Sequence, residues 1–98
     1  MDVVYASLRR REPGPVPARE ASEVVGILWA HALPGDALQH ITARSQDDRI
    51  DLLLYLLTRH PDDGPSTSVD TAHTLLTRGH RNSPLLNRRY HAPAPDAR

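Results

Sequence analysis

The sequence predicts a small α+β domain in which the elements follow a ferredoxin-like order of strand, helix, strand, strand and helix (βαββα), with a candidate fourth strand near the C-terminus. An apolar run occupies residues 49–57, Val3-Val4-Tyr5 is rich in strand-forming residues, and residues 18–33 carry an amphipathic helical pattern. An all-helical protein would leave the Val-Val-Tyr segment without a pairing partner, whereas a sheet provides one. Agreement between these local signals favours the mixed fold.

The apolar run at 49–57 decides between the two fold classes. Leucine favours helix by only tenths of a kcal/mol per residue, while the run is short and bounded by turn-forming residues. Residues 38–45 precede it, and the intervening 45–48 has the length and composition of a hairpin loop. We therefore predict a hairpin whose second strand is central in the sheet. The alternative is an all-α four-helix domain in which residues 35–44 and 48–59 are helices.

Two helices complete the predicted domain. The first spans residues 18–33, because its apolar residues recur on one face and Pro34 with Gly35 ends the pattern. The second spans roughly 68–78. Thr67 to Asp70 resembles a capping box, and Gly79 is a typical C-terminal stop.

A right-handed crossover through the first helix leaves a gap beside the first strand, and the strand at 49–57 fills it. The segment 83–86 is either a helical turn or a fourth strand. The domain is expected to occupy residues 1–90, followed by a disordered tail at 91–98. The predicted core consists of Val24, Val25, Leu28, Ile50, Leu52, Leu54, Leu56, Val69, Ala72 and Leu76.

Composition excludes several classes of protein. The chain of 98 residues has no cysteine, so disulfides, thiol catalysis and cysteine metal sites are excluded. Its start does not resemble a signal peptide, and no apolar stretch approaches the ~18 residues that a membrane span requires. The absence of Lys and the abundance of Arg, Ala and Pro are typical of a GC-rich bacterial coding sequence. We expect a bacterial, cytoplasmic protein without a membrane partner.

Charge is unevenly distributed although the formal net charge is zero. The centre of the chain is acidic, and its C-terminal end is rich in arginine. Such a basic end either contacts the protein's own acidic body or binds an acidic partner. The candidate anion or nucleic-acid patch consists of Arg78, Arg81, Arg88 and Arg89.

No motif predicts catalysis or a cofactor. Six histidines are present, but none forms a tight ligand pair; the nearest cluster is His60 with Asp62 and Asp63, in a turn where aspartate is common. No nucleophile motif or phosphate-binding glycine loop is present. We therefore expect no catalytic residue, no metal and no cofactor.

These observations favour a protein that works by association. A three-stranded sheet leaves an edge or an apolar face open, which a partner usually closes. We expect a homodimeric adaptor or regulatory accessory protein. The alternative is a nucleic-acid-binding regulator that uses the C-terminal arginines, and a third class is a small-molecule-binding domain between sheet and helices. The candidate interface residues are Trp29, Tyr5, Tyr55, Leu85 and Leu86.

Overall fold

The computed structural model describes residues 1–57 and 65–93, which form an α+β domain. In chain order the elements are β1 (Asp2–Arg9), α1 (Glu20–His31), β2 (Leu38–Ser45), β3 (Arg49–Leu56), α2 (Pro65–Asn82) and α3 (Pro84–Arg89), with a short 3₁₀ turn at Pro34–Asp36 between α1 and β2. The α+β fold class and the hairpin are confirmed. The four-helix alternative is wrong, since both segments that it assigned to helices contain strands.

The sheet has the strand order β1-β3-β2, so β3 is central. It is antiparallel to both neighbours, in a register that places Tyr5 opposite Leu53 and Leu53 opposite Thr42. Consequently β1 and β2 run parallel to each other, and the connection between them passes through α1. The prediction that the most apolar strand fills the gap between the other two is confirmed.

The sheet buries one face and exposes the other because side chains alternate along each strand. Even-numbered residues of β1 and β3 point towards the helices, where they meet one face of α1 and of α2. The buried apolar residues are Val4, Leu8, Val24, Leu28, Leu38, Ile41, Ile50, Leu52, Leu54, Leu56, Ala72, Leu75, Leu76, Leu86 and Tyr90. Val25 and Val69, which were predicted as core, are partly buried at its margin.

Gly79 lies inside α2 rather than at its end, so its assignment as a helix stop is wrong. A Cβ atom at this position would lie 3.1 Å from Cδ2 of Leu28 on α1 and 3.7 Å from Cδ1 of Leu86 on α3. The glycine therefore permits close approach of three helices. The capping box is also wrong, because α2 begins at Pro65 and Thr67 therefore lies inside the helix. The Ser68 hydroxyl donates a hydrogen bond of 2.5 Å to Oδ2 of Asp2.

The C-terminal segment forms α3 rather than a fourth strand. Ser83 caps this helix, accepting a hydrogen bond of 3.2 Å from the backbone N–H of Leu86. Beyond α3 the chain makes a single antiparallel bridge, between Tyr90 and Arg10. The predicted disordered tail at 91–98 lies outside the described residues from position 94 onwards.

Within residues 1–57 and 65–93, no helix is both long and apolar enough to cross a membrane.

Candidate interaction surface

The sheet face opposite the helices carries exposed apolar side chains, and we call it the open face. Among the described residues no element packs on it. Val3 and Tyr5 are 52% and 62% exposed, and Leu53 and Leu57 are also exposed. Large apolar side chains that are exposed singly are ordinary, but neighbouring ones mark surfaces that bind.

The strand register places these side chains next to one another. One row across the sheet contains Val3, Tyr55 and His40, and the imidazole of His40 lies 5.4 Å from the ring of Tyr55, centroid to centroid. The next row contains Tyr5, Leu53 and Thr42. The apolar side chains therefore form a continuous strip across β1 and β3, while β2 contributes polar groups.

A polar cluster borders this strip. The Tyr5 hydroxyl and Nε of Arg49 both donate to Oδ1 of Asp51, each at 2.9 Å. Although desolvation raises the pKa of Asp51, the hydrogen bonds from Tyr5 and Arg49 outweigh it and hold that pKa below its ordinary value. Asp51 is therefore ionised at neutral pH and orients the phenol of Tyr5.

The other candidate interface residues lie elsewhere. Trp29 is exposed on α1, away from the core. Leu85 is partly buried, and Leu86 is fully buried against the core. Leu86 is thus a packing residue in this structure and does not contribute to an accessible surface.

The four arginines of the predicted patch line two different clefts. Arg78 and Arg81 border one on α2, where Nη1 of Arg78 also donates to Oδ2 of Asp36 at 2.9 Å and to the carbonyl of His31 at 3.0 Å. Arg78 therefore stabilises the turn after α1 through these two hydrogen bonds, whereas Arg81 is exposed.

Arg88 and Arg89 border the second cleft. It lies between α3 and the loop after β1, and Arg10 and Arg11 also line it. Arg89 donates to Oε1 of Glu23 at 3.0 Å, whereas Arg88 is exposed. This cleft brings together basic residues from both ends of the chain.

A buried polar cluster joins β1, α1 and the C-terminal segment. Glu20, which is 1% exposed, forms an ion pair with Arg10 through both carboxylate oxygens and accepts a hydrogen bond of 2.5 Å from the Tyr90 hydroxyl. Arg10 also donates to the backbone carbonyls of Gln46 and Arg49. Desolvation raises the pKa of Glu20, but hydrogen bonds from Ser45, Tyr90 and Arg10 outweigh it, so this pKa lies below its ordinary value.

The same cluster affects Tyr90. Desolvation, together with the hydrogen bond and negative charge of Glu20, raises the pKa of the phenol. The carbonyl of Tyr90 faces Nε2 of His80 at 2.9 Å. The buried polar groups of this cluster are hydrogen-bonded to one another, as expected of groups that stabilise a fold. We call the three side chains of Arg10, Glu20 and Tyr90 the clasp.

Local sequence patterns do not predict this cluster. The predicted domain ends at Tyr90, and no predicted site includes Glu20. A charged residue preceding an apolar helical stripe is the only local signal, and it does not reveal a partner 70 residues away.

No metal-binding group was found in the described part of the chain, where three or more His, Cys, Asp or Glu residues never converge. The cluster of His60, Asp62 and Asp63 lies outside the described residues.

The chain matches no family model, and neither a curated protein nor a solved structure is significantly similar to it.

Proposed function

We propose that this protein is a small non-enzymatic homodimer of ferredoxin-like topology that acts by association, as an adaptor or regulatory accessory protein. The observation that supports it best is the strip of exposed apolar side chains on the open face, formed by Val3, Tyr5 and Leu53. Burying apolar surface is worth about 25 cal/mol per Å², so covering this strip favours association. The bacterial and cytoplasmic assignments rest on composition and belong to the same proposal.

The lowered pKa values of two carboxyl groups suit a structural role better than proton transfer. Glu20 and Asp51 both have pKa values below their ordinary range, because each accepts hydrogen bonds from an arginine and a tyrosine. A general acid at neutral pH needs the opposite shift. Both groups are therefore better suited to fixing structure than to donating a proton.

Size exclusion with light scattering, over a wide range of concentration, tests the homodimer. We expect a mass of twice 10.9 kDa that persists on dilution. A mass of 10.9 kDa at every concentration would contradict the homodimer.

A nucleic-acid-binding regulator is the second candidate, and the cleft lined by Arg10, Arg11, Arg88 and Arg89 favours it. Arginines gathered from both ends of the chain could contact phosphates together. Because Arg10 and Arg89 are already paired with acidic residues, Arg11 and Arg88 are the exposed cations of this cleft that a phosphate would reach first.

Retention on heparin during a salt gradient separates the two candidates. If the cleft binds phosphates, Arg88→Ala elutes at lower salt than the wild type. Arg81→Ala is the matched control, since Arg81 is an exposed arginine in the other cleft. Equal elution of both variants would remove the support for this candidate.

A further inference from the structure

We propose that the second copy joins the sheet at the outer edge of β1, with a two-fold axis at Tyr5, so that two three-stranded sheets become one six-stranded sheet. This inference rests on the proposed homodimer and adds the position and register of its interface. The open faces of both copies then lie on the same side of the joined sheet, and the partner partly covers the Val3 and Tyr5 side chains of the apolar strip at the new interface.

The hydrogen bonds show which backbone groups of β1 point outwards. The N–H of Arg10, the residue after β1, donates to the carbonyl of Asp48 at 3.0 Å. The backbone N–H and C=O groups of even-numbered β1 residues therefore point towards β3, while their side chains point towards the helices. The carbonyl of Arg9 instead accepts from the N–H of His91 at 2.9 Å, on the opposite side. Because backbone groups alternate along a strand, the outer-edge N–H and C=O groups that precede Arg9 belong to Val3, Tyr5 and Ser7.

Between its charged end residues, Asp2 and Arg9, this edge lacks the charges, prolines and register shifts that protect edge strands. From Val3 to Leu8, β1 contains no charged residue, proline or glycine, and it pairs with β3 without a register shift. The other edge strand, β2, has a register irregularity between Leu38 and His40 and carries Arg44. Bulges and charges discourage pairing at an edge, so β1 is the edge that accepts a strand.

The C-terminal segment determines the register. The carbonyl of Arg9 is occupied by His91, so an added strand can pair with residues up to Ser7. Two copies related by a two-fold axis pair antiparallel, and residues opposite each other share a face of the sheet. All three outward residues find partners when Tyr5 lies opposite the partner's Tyr5 and Val3 opposite the partner's Ser7, which gives roughly six hydrogen bonds.

The side chains favour a second copy of this chain as the occupant. In this register Asp2 lies opposite the partner's Leu8, so no like charges face each other along β1. On the open face the two Tyr5 side chains become neighbours, and each already lies beside a Leu53. The apolar strip therefore continues across both copies.

Paired charge variants test the register. Val3→Lys with Ser7→Glu places opposite charges across the interface, whereas Val3→Lys with Ser7→Lys places like charges there. We expect the dimer dissociation constant of the second variant to exceed that of the first by at least about tenfold. Gln39→Lys with Thr42→Lys adds the same charge to β2 and should leave the protein dimeric.

Amide hydrogen exchange of the unmodified protein gives a second readout. The amides of Val3, Tyr5 and Ser7 should be protected in the wild-type dimer. A wild-type dimer in which these amides exchange freely, together with equal dissociation constants for the two paired charge variants, would overturn the β1 interface but leave the homodimer standing. A wild-type monomer at every concentration would overturn both.

Discussion

The Tyr90 hydroxyl donates a hydrogen bond of 2.5 Å to Oε2 of Glu20, which lies 70 residues earlier in the chain. Arg10 contacts the same carboxylate from the other side. These three side chains connect the end of β1, the start of α1 and the C-terminal segment. The domain is therefore closed by a buried, fully paired polar cluster in addition to its apolar core.

Replacing Tyr90 with Phe should lower the free energy of unfolding by about 1.5–3 kcal/mol, because it removes a buried hydrogen bond to a charged group. Urea denaturation monitored by circular dichroism measures this loss. Tyr5→Phe is the matched control, since it removes a hydroxyl that also donates to a carboxylate, but on the exposed face. We expect a much smaller loss for the control, and equal losses would contradict a stabilising role for the clasp.

Acidification should weaken the clasp. The pKa of Glu20 lies below its ordinary value of 4.5 in the folded protein, so the stability that it contributes is present above about pH 4.5 and is lost as the pH falls through the folded pKa. The difference in unfolding free energy between the wild type and Glu20→Gln should therefore be large at pH 7 and narrower at pH 3.5. Urea denaturation at both pH values measures it, and a constant difference would mean that ionisation of Glu20 does not stabilise the fold.

Two helical glycines should respond in opposite ways to alanine. Gly26→Ala adds a Cβ that meets nothing within 4 Å, so it should raise the free energy of unfolding by about 0.5–1 kcal/mol. Gly79→Ala places a Cβ 3.1 Å from Leu28, whose side chain is fully buried, and should lower stability. Thermal denaturation compares the two, and stabilisation by both would show that the helices have room to separate.

Docking of α3 should depend on one of its two leucines. Leu86→Ala leaves a cavity in the core and should cost about 2–5 kcal/mol. Leu85→Ala, at the partly buried neighbouring position, should cost clearly less. Denaturant titration ranks the two variants, and the reverse order would mean that α3 packs differently from this structure.

The hairpin was predictable because its signals are local. Turn-forming residues bound the strands at 38–45 and 49–57, and the pattern of apolar residues determines which face is buried. The predictions that proved wrong concern positions where a contact with a distant part of the chain determines the structure. Gly79 has the local character of a helix stop, but α2 continues through it because Leu28 and Leu86 require close approach at that point.

The candidate surface was predicted in part. Tyr5 and Tyr55 follow from strand alternation, and the structure places both on the open face. Leu86 and Arg78 belong respectively to the core and to an ion pair with Asp36, contacts that cannot be deduced from neighbouring residues. The position of the C-terminal segment, which limits the β1 edge, also depends on such contacts.

By itself, the sequence determined that this chain contains β strands as well as helices, and that its most apolar strand lies at the centre of the sheet. Periodicity and turn chemistry act over a few residues, so they specify elements and their buried faces. Only the tertiary structure decided that the C-terminal segment packs as α3 instead of pairing as a strand. It alone also decided that the Glu20 carboxylate accepts hydrogen bonds from Tyr90 and Arg10. Those outcomes depend on satisfying buried polar groups between segments far apart in the chain, which local patterns do not encode.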